Sequence, residues 1–232
     1  MGYPEHPETV ILRNNFYPQG LREIDVWEYY QRVKTHILRE TFSRDLMFMV
    51  MVEENKPIIV RKGRTTNFIR LNPSNYDDMI HGRVISIYST MRRAEDLAII
   101  DIDSDDFRKA QIAALKVYEF AMRDIPIVRT VKILFTGKTS FHVVCTLARK
   151  INIDSTRFLL RKFLAESELN NEFTIEHKRI RGVPNLDLSP NKFRGAFITN
   201  HSLSMIGLKC MEVDHGRVMA FNPKNAIIRR SK

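Results

Sequence analysis

Asp101 and Asp103 close the apolar run LAIIDID, residues 97–103. Side chains alternate along a strand, so the two carboxylates point to the same side. Two like charges at the end of a buried strand are costly unless a cation or protons offset them. Carboxylate oxygens are hard donors that suit Mg²⁺ or Mn²⁺. The bland role for such a pair is to open the next helix. Ser104, Asp105 and Asp106 already supply an N-cap and first-turn acids. The pair therefore reads as metal ligands. DIDSDD is not a calcium loop of the EF-hand kind. Its sixth and twelfth positions hold Asp106 and Ile112, where that loop needs Gly and Glu.

Two further segments carry chemistry. TGKTSFHVV, residues 136–144, has Gly137 for a tight turn, donors in Lys138, Thr139 and Ser140, and His142 opening a strand. It is not a P-loop, because position 132 is Lys and a strand follows instead of a helix. It reads either as a turn whose donors converge on an anion or as a polar hairpin with a satisfied histidine. NLDLS, residues 185–189, places Asp187 on the strand face opposite Leu186 and Leu188. A lone strand aspartate is usually a structural hydrogen-bonder. A two-metal site, however, needs a third carboxylate from a neighbouring strand. Asp101, Asp103 and Asp187 would make that set.

These residues need strands and helices to hold them. Residues 22–40 read as a helix, with Val26, Tyr29, Tyr30, Val33 and Ile37 at helical spacing. Its aromatics read as core. Residues 46–52 and 56–62 read as paired strands, and 67–71 as a third. A short helix follows Asn72-Pro73-Ser74. Strands are expected at 84–89 and 97–103, a helix at 105–123, strands at 131–135 and 141–147, and a helix at 154–169 capped by Asp154 or Ser155. From Thr174 onward the chain reads as mostly strands. The order predicts an α+β sandwich with a mixed or antiparallel sheet.

Composition narrows the partners. The 232 residues suffice for one large domain or two small modules sharing a core. Net charge is +10, with basic clusters at Arg61, Lys62 and Arg64; at Lys178, Arg179 and Arg181; at Lys192 and Arg194; and at Arg229, Arg230 and Lys232. Such clusters are either a solvated surface or, as favoured here, sites for nucleic-acid or nucleotide phosphates. Two cysteines are too few for a disulfide framework or a four-ligand zinc site. No apolar run reaches a membrane span, and MGYPEHPETV has no apolar core of a signal peptide and no myristoylation pattern. A cytoplasmic protein with no membrane partner is expected.

In order and spacing, Asp101-Ile102-Asp103, Ser140-Phe141-His142 and Leu186-Asp187 resemble the archaeo-eukaryotic primase superfamily, with its DxD, small-x-His and hydrophobic-Asp motifs. The closest likeness is to the polymerase domain of end-joining ligase D and its stand-alone relatives. FYPQGLREIDVWEYY (16–30) is similar to their opening segment, IEHKRIRGVPNLDLSPNK (175–192) to their third-motif region, and NHSLS (200–204) to their Pro-Tyr-Ser segment. Ser204 departs from the family's arginine, a contact that Lys209 could replace. The zinc knob of replicative primase subunits is absent.

The resemblance implies an α+β fold in which an RRM-like catalytic sheet packs against an N-terminal αβ module. One catalytic domain would span 1–232, with the N-terminal module at about 1–82 and the catalytic module at 83–232. It implies a template-directed nucleotidyltransferase that adds NTPs or dNTPs to a primer 3′-OH with two Mn²⁺ or Mg²⁺ ions. Asp101, Asp103 and Asp187 would hold the metals. Lys138, Ser140, His142, Arg194 and Ser202 would contact the incoming nucleotide. Arg61, Lys62, Arg64, Lys178, Arg179 and Arg181 would hold primer–template DNA or an RNA-containing primer. A ligase or other end-joining factor is an expected partner. Two other readings stay open: a stand-alone primase of a replicon, virus or defence system, and a non-catalytic RRM-like nucleic-acid-binding module. The last would need aromatics exposed on its central strands, which LAIIDID and VKILF lack beyond Phe135.

Overall fold

The computed structural model describes residues 3–61, 68–176 and 180–229. Lys62, Arg64, Lys178 and Arg179 of the basic clusters lie outside the described residues, as do Arg230 and Lys232. In chain order the first elements are β1 (Val10–Asn14), β2 (Tyr17–Arg22), α1 (Glu23–Glu40), β3 (Leu46–Glu53), β4 (Lys56–Val60), α2 (Tyr76–Met79) and β5 (Val84–Thr90). Then come β6 (Ala94–Asp103), α3 (Phe107–Asp124), β7 (Val128–Gly137), β8 (Ser140–Asn152) and α4 (Ile153–Ala165). Four short strands end the series: β9 (Thr174–Ile175), β10 (Asn185–Asp187), β11 (Ala196–Ile198) and β12 (Met211–Val213). The result is a mixed α+β chain, as the alternation of patterns predicts. Among the described residues no helix is long and apolar enough to cross a membrane.

The chain forms two compact units. The first comprises Met1–Thr90, Phe197–Cys210 and Asn222–Lys232. Its four-stranded sheet has the order β11-β5-β3-β4, and β1 and β2 form a separate antiparallel hairpin. Helix α1 begins where the backbone and side chain of Arg22 both donate to Asp25. The Arg22 backbone N–H donates to Asp25 Oδ2 at 2.9 Å, and its guanidinium binds both carboxylate oxygens. That pairing lets Asp25 be fully buried without an unpaired charge. Tyr30 and Tyr76, fully buried, satisfy their hydroxyls on Ile85 O and Tyr30 O. Tyr29 and Tyr30, the helix aromatics expected to be core, are both buried.

The second unit comprises Met91–Ala196 and Met211–Phe221. Its six-stranded sheet runs β12-β7-β8-β6-β10-β9, antiparallel throughout except for the parallel pair β10–β9. Helices α3 and α4 pack on the central strands. Phe107 of α3 stacks on Phe141 of β8 at 5.7 Å, which fixes the helix-covered face. A cleft of about 520 Å³ opens between the two helices beside Phe120, Phe163 and Leu169, on that same face.

Several local expectations are corrected. Residues 68–71 form no extended strand: Phe68 and Ile69 are isolated bridge residues, Ile69 pairing with Leu46, and Asn67 lies outside the described residues. The α4 cap is Asn152, whose Oδ1 accepts from the backbone of Asp154 and Ser155, so neither of those residues caps it. Past Thr174 the strands are two or three residues long, and the segments His215–Ala220 and Pro223–Ala226 are 3₁₀ turns. Asp214 and Asn222 cap those turns through their side chains, a local alternative to strand pairing.

Candidate metal centre

Strand register alone builds the site. In the second unit Asp101 of β6 pairs directly with His142 of β8 on one side and with Asp187 of β10 on the other. Paired residues share a face. Phe141 faces α3, so its neighbour His142 faces away, and Asp101 and Asp187 go with it. Asp103, two residues on from Asp101, returns to that face. The helix-covered face is filled by Ala98, Ile100 and Ile102 of the same strand, all buried. The opposite face thus receives every charged group of the constellation.

The geometry is tight. One carboxylate oxygen from each of Asp101, Asp103 and Asp187 lies within 4.8 Å of the others. His142 Nε2 stands 3.4 Å from Asp101 Oδ1. Ser140 Oγ donates to Asp103 Oδ1 at 3.4 Å. His142 is 5 % exposed, and its Nδ1 is buried with no hydrogen-bond partner among the described residues. A buried polar atom left unsatisfied asks for a ligand or a bound water.

Asp187 is held from its own loop. The Ser189 backbone N–H donates to Asp187 Oδ1 at 2.8 Å and its hydroxyl to Oδ2 at 2.7 Å. Each oxygen keeps a further lone pair for a cation. Past Asp187 the chain leaves the ladder, and fully buried Asn191 binds the backbone of Ile99 in β6. Ser189 and Asn191 are positioning residues that spacing alone does not single out. Their signal is a Ser-x-Asn placed just past a strand aspartate. Capping of α3 falls to Asp106, whose Oδ1 accepts from the Lys109 N–H at 2.9 Å. That leaves Asp101 and Asp103 outside the cap.

The donor set fits a hard divalent cation: three carboxylates at metal-bridging separation, two held by protein hydroxyls. The β7–β8 turn stands beside them. Gly137 at φ +116° and Lys138 at φ +51° take left-handed backbone that favours glycine in the first position. Thr139 Oγ1 donates to Ser104 O at 2.5 Å and ties the turn to the end of β6. Lys138 is exposed at its tip.

The remaining expected contacts have the following local surroundings. The Arg194 N–H donates to Met91 O at 3.0 Å, just before β6 begins. Ser202 belongs to the first unit. Its buried Oγ accepts from the Ile87 N–H at 2.7 Å and donates to Leu203 O at 3.1 Å. Arg61 and Arg181 are exposed, in the first and second units respectively.

With this geometry in hand, the chain can be set beside known structures. It is similar to the polymerase domain from Mycobacterium tuberculosis ligase D, solved in complex with DNA. The TM-score is 0.76, over 93 % of this chain and 87 % of that one, at 12 % sequence identity. The chain has the fold of that polymerase domain. At this identity the likeness speaks for the fold alone. No protein-family model matches the chain, and no curated protein is detectably similar to it.

Proposed function

We propose that the chain is a template-directed nucleotidyltransferase that adds nucleotides to a primer 3′-OH, acting at DNA ends or gaps. The observation that carries this is the meeting of Asp101, Asp103 and Asp187 across β6 and β10, in a fold shared with a DNA polymerase domain. Asp101, Asp103 and Asp187 would hold two Mn²⁺ or Mg²⁺ ions. Such ions acidify an attacking hydroxyl and neutralise charge on a departing pyrophosphate.

The chain's own residues do the rest. Ser189 holds Asp187 in one rotamer, so the ligand set is pre-formed and little ordering is left to binding. Lys138, Ser140 and His142 lie on one hairpin end and would receive the triphosphate. The buried Nδ1 of His142 and its Nε2 beside Asp101 make it a contact whose strength depends on charge nearby. The exposed basic side chains Arg61 and Arg181 would meet strand phosphates without reading sequence. Lys62, Arg64, Lys178 and Arg179 are assigned to the same task.

Primer extension with labelled primer–template, each of the four nucleotides, and Mn²⁺ or Mg²⁺ tests the reading. Wild type should extend, and Asp101→Asn, Asp103→Asn and Asp187→Asn should fall to background while staying folded. A variant that extends at wild-type rate would remove its residue from the site. Running de novo priming beside gap filling on 5′-phosphorylated ends separates a primase from an end-joining enzyme.

A further inference from the structure

Phe193 lies six residues past Asp187 and is 41 % exposed. The Arg93 guanidinium carbon stands 4.6 Å from its ring centroid and the Arg194 carbon 5.0 Å. Two like charges thus gather around one accessible aromatic ring. The ring's negative face offsets part of their repulsion. The arrangement is held by backbone. The Arg194 N–H donates to Met91 O at 3.0 Å, Met91 N–H to Gly195 O at 2.9 Å, and Gly195 N–H to Lys192 O at 2.7 Å. A Cβ on Gly195 would meet Pro190 O at 2.1 Å, so only glycine permits this winding.

An exposed ring flanked by guanidinium planes has a particular ligand chemistry. Free phosphate or an acidic peptide would use the guanidiniums and leave the ring idle. A duplex would offer phosphates but no open base face. An unpaired nucleotide uses both: its base stacks on aromatic and guanidinium planes, and its phosphate takes their N–H donors. Place in the fold adds to this. Arg93 precedes the first residue of β6, and Asp101 lies seven residues beyond Ala94. At the strand rise that is about 20 Å, or about six nucleotides of a stacked strand. A nucleotide on the carboxylates cannot touch Phe193, but the strand it pairs with can reach both.

We infer that Arg93, Phe193 and Arg194 form a stacking platform for single-stranded nucleic acid at the end of β6 remote from the carboxylates. This inference rests on the nucleic-acid reading given above and extends it to a second contact with the same strand.

Fluorescence anisotropy with a labelled 20-mer of deoxythymidine and a blunt duplex of the same length tests it. Phe193→Ala should weaken the 20-mer about tenfold and leave the duplex unchanged. Phe193→Tyr, which keeps a ring, should bind like wild type. The pair Arg93→Gln and Arg194→Gln should flatten the slope of log affinity against log salt by about 1.4, the share of two single-strand phosphates. Melting curves on every variant separate loss of the platform from loss of the fold. A folded Phe193→Ala that binds the 20-mer as wild type does overturns the platform, and so does a wild type that binds no single strand. If Phe193→Ala loses the 20-mer while wild type extends no primer, the polymerase reading fails and the platform stands.

Discussion

Asn191 takes the place of a strand beside Ile99. Strand β10 ends at Asp187, opposite Asp101, yet β6 runs on past Ile99 with its backbone open on that edge. The Asn191 carboxamide fills the gap. Its Oδ1 accepts the Ile99 N–H at 2.8 Å, and its Nδ2 donates to Ile99 O and, at 3.3 Å, to Leu188 O. A side-chain amide thus extends the ladder that sets Asp187 against Asp101.

Asn191→Ala should therefore cost stability and metal affinity together. It orphans a buried N–H and a buried C=O, at roughly 1–3 kcal/mol for each unsatisfied group. Chemical denaturation should show a loss of about 2–6 kcal/mol for the two groups together. Ser189→Ala should differ, costing under about 1 kcal/mol in stability while Mn²⁺ affinity falls about 10- to 100-fold, as for other groups that orient a metal ligand. Electron paramagnetic resonance of free Mn²⁺ reads the affinity. Ser189→Ala with wild-type Mn²⁺ affinity would show that the hydroxyl does not orient Asp187.

The carboxylates should oppose folding when no cation is bound. Like charges paired across strands cost about 0.2–1 kcal/mol. Asp101→Asn or Asp187→Asn should raise the melting temperature of metal-free protein slightly and abolish the further rise that Mn²⁺ gives wild type. A melting temperature of Asp187→Asn that still climbs with Mn²⁺ would place the ion elsewhere.

His142→Ala separates two roles for a buried histidine. If His142 holds the nucleotide, KM for nucleotide should rise about tenfold or more, with Mn²⁺ affinity little changed. Lys138→Ala should act the same way from the same turn without cost to stability, since Lys138 is exposed. A lower melting temperature with unchanged KM would make His142 structural.

Alkaline pH should unfold the protein in a defined window. Burial pushes the Cys145 thiol up to about 12 and raises that of Cys210 further. Burial also raises the hydroxyls of Tyr29, Tyr30 and Tyr76. Each group is neutral when protonated, so the folded state favours the proton. Their stabilisation is complete below the ordinary thiol value of 9.0 and is lost as pH rises from there toward 12. Thermal midpoints should be flat from pH 7 to 9 and fall steeply above it. Thiol reagents at pH 8 should label neither cysteine until denaturant is added.

The sequence made the central strands legible because they are buried on both faces. LAIIDID, VKILF and FHVVCTL announce β6, β7 and β8, and the DxD alternation places Asp101 and Asp103 on one side. Strand ends were harder, since β8 runs on to Asn152 through Arg149 and Lys150, where apolar patterning has stopped but hydrogen bonding has not. The β1–β2 hairpin carries Pro18 and Gly20 inside its second strand, which hide its pairing. Asn191 was invisible as a clamp, because its partners are backbone atoms of a strand remote in sequence. The backbone of Arg194 is a case of the same kind: it lies seven residues past Asp187 in sequence, yet its N–H bonds Met91 O just before β6 begins.

The three-residue strand β10 also dictates when the site exists. Asp101 and Asp187 are register partners separated in sequence by the whole of α3, β7, β8, α4 and β9. Contacts between such remote segments close late in folding, after hairpins such as β7–β8 have formed. A chain emerging during synthesis carries Asp101, Asp103 and His142 long before Asp187 and its clamp Asn191. Until that last short strand docks, two carboxylates stand alone on an open sheet edge. Competence to hold metal should therefore mark the end of folding in this unit, and Mn²⁺ uptake in refolding should trail the return of helical circular dichroism.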